Sequence, residues 1–550
     1  MHNENVKFKI MLIGMFFFGI FGWAKSSWAA RYYVATTGND ANSGSQAQPW
    51  LTVQKAANTI VAGDTCLVSA GSYNEYVSVA YSGASGNMIT FEAAANVTIR
   101  GFSINGKNYI RINGFEITNQ GFSDFQSTSQ ISLLVLSSIG TEIINNYIHD
   151  TTFCGIKLHD SGSSQRVIIR NNKISFPGKG SNGTGGGAAG IIATGDQILI
   201  ENNDISHVTD YIALYGQYNV VRNNTFHDSY GATDFPSSAD PFHIDGIESS
   251  QTSGGVPLKN ALIERNTLYD SLVPNAHFML LRDTQHAGAS DVIIRFNSIN
   301  HIGSYFTVHS DNFPNVRIYN NTVRDTESNI PKEYGDSGPT VNSPGGKLIN
   351  NIYYNNVIDG GYVYAVDSSS LSGFSAHNNL VFNSGYTSSW GWKTSGNLYT
   401  DLIQNDLTTV KNRDPLFISP TDLNLPNGSP AIDSGGELKK VSASDSGIGT
   451  RLIVDDAGMF QDGQGGIVNT DWIAVGNAKN TCQIKSIDNT SNTITIDRAI
   501  TRAAGDPVYL FEDSGGRQVL YGNTPDIGAY EYVQGADTTP PAAPTGLAVN

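Results

Sequence analysis

Cysteine is scarce: Cys66, Cys154 and Cys482 are the only three in 550 residues. Spaced that widely, they support neither a disulfide framework nor a structural zinc site, and buried apolar filler is their expected use. Charge is scarce too, at 15% against the roughly 25% of an average soluble chain. What charge there is leans negative, −16 overall. That balance argues against nucleic acid and anionic membranes as partners, and an anionic polymer would need a local basic groove or bridging cations. No sustained 3.6-residue apolar period runs between residues 140 and 385, which excludes stacked helical repeats.

A long apolar run occurs once, at residues 10–23, preceded by Lys7 and Lys9 and followed by the small-residue site Ser27-Trp28-Ala29. It is short for a hydrocarbon core of about 30 Å. Residues 1–29 are therefore expected to be a bacterial-type export signal, leaving a secreted or cell-surface monomer with no membrane span.

Glycine is plentiful, with 58 residues, and one phrase recurs nine times: apolar residues on either side of an Asn, usually a pair. Examples are EIINNYI (142–148), VIIRNNKI (167–174) and VRIYNNTV (316–323). The second Asn is constant, at 146, 172, 203, 224, 266, 297, 321, 351 and 379, whereas Arg265 and Phe296 replace the first in two copies. Short Ile/Val-rich segments broken by Gly, Asn, Asp and Ser read as strands and turns, and a fixed repeat reads as stacked units. Asn suits such a stack because it tolerates the left-handed backbone of a sharp bend. Its amide also donates and accepts, so Asn above Asn at a rise of about 4.8 Å can form a ladder. The expected fold is all-β: a right-handed parallel β-helix solenoid with an N-terminal capping helix over 52–60.

The opening stretch, YYVATTGNDANSGSQAQPWLTVQKAANTIVAGDTCLVSAGSYNEYV, resembles the N-terminal cap of secreted right-handed parallel β-helix proteins of the pectate-lyase-like superfamily. The resemblance implies polysaccharide as a partner, although many such proteins have no assigned activity. The segments 414–435 and 523–532 resemble the closing segments of bacterial β-helix proteins. The expected organisation is signal 1–29, β-helix 30–436, an inserted small β domain 437–518, closing segment 519–534, and a Pro-rich linker 535–550 that resembles the start of a fibronectin type III module.

Chemistry on a β-helix must use one outward strip of strands. The strands preceding the Asn phrases align as GIKLHD (155–160), GIIATG (190–195), YIALYG (211–216), GIESSQ (246–251), FMLLRD (278–283) and YFTVHS (305–310). Strand alternation then sends Ile156, Ile191, Ile212, Ile247, Met279 and Phe306 inward. One outward column holds Lys157, Glu248 and Thr307; the next holds His159, Tyr215, Arg282 and His309. Lys157, His159, Tyr211 and Glu248 are candidate substrate contacts, since aromatic and hydrogen-bonding groups together suit a sugar groove. A solvated strand face carries polar residues as well, and that plain reading stands beside it.

The longest interval between fixed Asn residues, 42, contains DPFHIDGIE (240–248). Asp240, Asp245 and Glu248 are candidate Ca²⁺ ligands, since that cation prefers several oxygens. His243, Arg282, Asp245, Tyr215 and His309 are candidate catalytic residues. β-Elimination from a uronate needs a guanidinium or cation on the carboxylate, a base for the C5 proton and an acid for the leaving oxygen. The segment faintly resembles the Asp-Gly turn of polygalacturonase-type hydrolases and the Asp-Pro-His signature of mannuronan C5-epimerases. The hydrolases' Asp-Asp and Gly-His-Gly segments are absent, and Phe242 splits the Asp-Pro-His run. The expected function is thus a polysaccharide lyase. A C5-epimerase or glycoside hydrolase on the same groove is the alternative, and a non-catalytic adhesion protein is the alternative of another class.

Overall fold

The computed structural model describes residues 29–533 apart from 120–131, 160–163, 178–188, 231–243, 251–255, 284–287, 312, 327–339, 342, 355–363, 367–372, 383–391, 395–396, 400–407 and 412. Residues 1–28, most of the expected export signal, and the Pro-rich tail lie outside these residues. No described helix is long and apolar enough to cross a membrane.

Each full coil has three strand legs. First legs form a parallel sheet of 13 strands running from Arg31–Val34 to Ser375–His377; second and third legs form a sheet of 22 strands. The helix at the N-terminal end is shorter than expected, Val53–Ala57. Thr52 caps it by accepting from Lys55 N, and Glu75 accepts from Val53 N and Gln54 N at 3.0 and 2.8 Å. Two of the open amides at the helix start are thus satisfied by one carboxylate. Val53, Ala56 and Ala57 join the interior core, so the helix closes the apolar end of the stack.

The Asn column is a continuous ladder. From Asn146 to Asn379, each Nδ2 donates to the next residue's Oδ1 at 2.9–3.1 Å. Every ladder Asn is buried. The two properties expected of one Asn belong to two positions. The residue before the ladder Asn takes the left-handed backbone, φ 52–57°, and this includes Arg265 and Phe296. That conformation costs most side chains about 1–2 kcal/mol, less for Asn, so the two exceptions mark positions with another use.

That use is docking. A six-stranded antiparallel sheet, spanning Lys439–Lys440 to Pro507–Glu512 in sequence, packs on the outer side of the first legs and fits an inserted small β domain. Leu199, Val220, Leu262, Ile293, Phe296 and Tyr319 share one core with Ile473, Ile484 and Val508. Arg265 pairs with Asp513. Arg295, 0% exposed, meets Glu264 at 2.8 Å and both oxygens of Asp471 at 2.8 Å.

Candidate functional site

The third legs carry the aligned strands, and their register is now explicit. Ile156, Ile191, Ile212, Ile247 and Met279 stack inward, all 0% exposed. On the last strand Met279 pairs with Val308 and not with Phe306, as Leu280 pairs with His309 and Arg282 with Asp311. The expected alignment was two residues out on that strand. A shift of two preserves which face each residue occupies, so apolar alternation alone cannot detect it. In the same register Lys157, Ile192, Ala213, Glu248 and Leu280 follow one another on the outward face, and the backbone of His309 pairs next to Leu280.

Tyr211 is a correction. It is 0% exposed and packs on Phe226 with ring centroids 5.2 Å apart, so it is core and not a substrate contact. The chain bends where the second leg becomes the third, and two consecutive residues, Tyr211 and Ile212, point inward there. In neighbouring coils the same position is Gly155, Gly190 or Gly246; a Cβ on Gly246 would lie 2.6 Å from Phe278 O.

One residue before that bend lies a column the strand alignment did not reach. Asp210 pairs with Asp245, and Asp245 with His277, on three successive coils. Carboxylate oxygens of Asp210, Asp245 and Glu248 all lie within 4.8 Å of one another. Asp245 is 0% exposed, and its Oδ1 lies 2.8 Å from His277 Nδ1. Burial, then the Arg282 charge, pulls His277 down to about 3, so its ring is neutral at ordinary pH. Burial raises Asp210 well above the usual carboxylate range, and the charges of Asp245 and Glu248 add to the rise. Glu248 is pushed up to about 7 by burial and by Asp245, with Arg282 opposing.

Arg282 pairs with Ser250, whose carbonyl accepts from the Tyr215 hydroxyl at 3.3 Å. Burial and then Glu248 raise the Tyr215 hydroxyl, which therefore keeps its proton at any working pH. Lys157 lies three coils from Glu248, about 14 Å at the usual inter-strand spacing, with its amine 5.7 Å from the centre of the Phe153 ring. Burial lowers that amine. His159 and His309 sit in strands beside Leu136 and Leu280, and their side chains lie outside the described residues. So do Asp240 and His243 entirely. Asp283 is occupied elsewhere, accepting from Gly288 N and Ala289 N at 2.9 Å.

Three converging oxygens at this separation fit Ca²⁺, whose ligands stand about 2.3–2.6 Å from the ion. The fitting set is Asp210, Asp245 and Glu248. Asp240 lies outside the described residues; Asp210 joins the set, and the sequence signal for it was its place one step upstream in the same alignment as Asp245 and His277.

Residues 176–343 match a family model described as the right handed beta helix region. The fold is thus the right-handed parallel β-helix, the architecture of the pectate-lyase-like proteins that the N-terminal stretch resembles. No curated protein sequence matches the chain. Among solved structures, pectate lyase Pel9A is similar at 16% identity and TM-score 0.48, over 76% of this chain and 94% of that one. An alginate lyase from Paenibacillus sp. str. FPU-7 is similar at 16% and 0.41, over 56% and 98%. XylC, solved in complex with xylose, is similar at 12% and 0.44, over 90% and 99%. Likenesses this distant leave the chemistry to this chain's own residues.

Proposed function

We propose that this chain is an exported polysaccharide-active enzyme, a lyase that cleaves a uronate-containing polymer by β-elimination on the third-leg strip. The observation that carries the reading is Glu248, a partly buried carboxyl titrating near 7 beside two more carboxylates and next to the coil that bears Arg282. A proton-transfer group works best with a pKa close to the operating pH, and like charges crowded together are how proteins arrange one.

In this mechanism Arg282 grips the uronate carboxylate and draws charge from C5. Glu248, ionised, takes the C5 proton; the freed electron pair forms the C4–C5 double bond as the C4–O bond breaks. Tyr215 gives its proton to the departing oxygen. Asp245, fully buried, acts as a positioning group through His277 and through its charge on Glu248. In the alternative case Ca²⁺ would be held by Asp210, Asp245 and Glu248 and would neutralise the substrate carboxylate, and Glu248 would then not be the base. C5 epimerisation shares the first proton removal. A hydrolytic pair gains no support, because Asp245 and Glu248 are close neighbours on one strand and do not face each other across a cleft.

The test is a panel of pectate, alginate, chondroitin and hyaluronan, followed by the absorbance of unsaturated uronates. One polymer is expected to respond, with an acid limb near pH 7 and a fall of about 10²–10⁴-fold for Glu248→Gln. Retained activity in EDTA assigns Glu248 the proton; loss in EDTA with rescue by Ca²⁺ assigns it to the metal. Silence on every polymer by folded protein overturns the lyase and leaves the adhesion reading.

A further inference from the structure

A second concave site lies where the docked domain meets the corner between third and first legs. Successive coils place Tyr218, Asn260 and Asp291 at this corner, all with left-handed backbone, φ 57°, 52° and 60°. The domain supplies the opposite wall with Asp462, Gln464 and Asn489, and the pocket between them holds about 160 Å³. The walls are fixed to each other. Arg166 and Gln197 both donate to Gly465 O, at 2.9 and 3.0 Å; within the domain's own wall Asp462 accepts from Ile487 N at 3.1 Å.

Gln464 is the unusual member. It is only 5% exposed, lines the pocket, and is itself left-handed at φ 50°. Its side-chain amide can donate and accept at the pocket wall. The Asn260 and Asn489 amides line the same space, each able to donate and accept. Tyr218, 40% exposed, offers a ring at the rim.

Charge selects among ligands. The guanidinium on this pocket, Arg317, is already paired with Asp291 and Asp456, each at 3.0 Å. With Asp462 added, carboxylates outnumber cations, and an anionic ligand is repelled. Drug-sized pockets run to about 300–1,000 Å³, so this one holds a single small unit and not a stretch of polymer.

We propose that this pocket is a second carbohydrate site taking one neutral sugar unit, a chain end or side branch. The amides of Gln464, Asn260 and Asn489 and the carboxylates of Asp291 and Asp462 bond its hydroxyls, and Tyr218 packs on one face of the ring. The site is independent of the third-leg strip, and its selectivity is opposite: neutral here, uronate there.

Saturation-transfer NMR and calorimetry on the full chain test it, with glucose, galactose, mannose, xylose and rhamnose set against galacturonate and mannuronate. At least one neutral sugar is expected to bind, and its Kd should rise about tenfold in both Asn489→Ala and Tyr218→Asn. Both substitutions fall at the surface, and Asn keeps the left-handed backbone at 218. Unfolding midpoints equal to the parent's separate lost binding from lost structure. No neutral sugar bound, affinity unchanged in both variants, or uronates bound as tightly as neutral sugars overturns the proposal. Lyase activity unchanged in Asn489→Ala would support the independence of the two sites.

Discussion

Glu248 and Glu264 stand on consecutive legs of the chain, a third leg and the first leg that follows it, yet they belong to opposite kinds of charge cluster. Around Glu264 the carboxylates are interleaved with cations: Arg295 lies between Glu264 and Asp471 and donates to Tyr319 at 3.1 Å, Gln461 donates to Asp471, and Arg265 pairs with Asp513. Around Glu248 two more carboxylates lie within 4.8 Å, and Arg282 is the cation opposing them. Complementary buried charge fixes one docking geometry, because each misplacement strands a desolvated ion. Crowded like charge has no such structural merit. Its effect is to hold a proton near neutrality, which is a property of use to chemistry and a cost to the fold.

The sharpest way to break the contrast is to remove the counter-charge. Arg295→Met leaves Glu264 and Asp471 facing each other without it, and should cost about 3–5 kcal/mol in denaturant unfolding. Limited proteolysis should then cut near 437–518 before the β-helix. Equal resistance in parent and variant would mean that the domain is held by its apolar contacts alone.

The matching change on the third leg should move stability the other way. Glu248→Gln removes a like charge and keeps the shape, so its unfolding midpoint should equal or exceed the parent's at pH 8. A clear loss of stability would show that Glu248 has a structural partner, and would weaken its assignment to proton transfer.

How much of this was legible from sequence follows from where the partners lie. The ladder was readable because one residue type recurs at one position in adjacent coils. Leg faces were readable because alternation is local. Tyr211 was misplaced, and Asp210 missed, because a bend breaks alternation just where the aligned strands begin. The docking network could not be read at all: Arg295 meets Asp471 across 176 residues and Arg265 meets Asp513 across 248. One trace did exist. The two copies lacking Asn at the left-handed position, Arg265 and Phe296, both face the docked domain.

pH sharpens the comparison further at another docking contact, the Asp456–Arg317 pair, which bends the stability curve in the sense opposite to Glu248. Glu248 has a folded pKa above its unfolded one, so between roughly 4.5 and 7 the native state binds the extra proton and stability falls as pH rises. Burial pushes Asp456 up, but Arg317 overrides it and holds the carboxyl below 3.8. Its contribution is present above 3.8 and is lost as pH falls through the folded value. Glu248→Gln should therefore flatten the slope between pH 5 and 7 and leave the acid limb alone, whereas Asp456→Asn should do the reverse. Unfolding midpoints across pH 3–8 decide it.

The smallest effect belongs to a third arrangement, intermediate between the two. His227 on the second leg lies 3.2 Å from Asp204 and 2.7 Å from Asp228, with its ring stacked 5.2 Å from Tyr269. A neutral imidazole has one N–H and can donate to only one of these carboxylates; the imidazolium donates to both. The Asp204 hydrogen bond raises its pKa, burial opposes, and Asp228 raises it again. A raised histidine stabilises fully below its unfolded value of about 6.5 and loses that contribution as pH rises through the folded one. Proton NMR should find His227 titrating above 6.5. His227→Gln should remove a shallow decline in stability above neutrality without touching the steeper one due to Glu248. Titration at or below 6.5 would mean that water screens the two carboxylates, and that proximity to acid on this surface is too weak to move a proton.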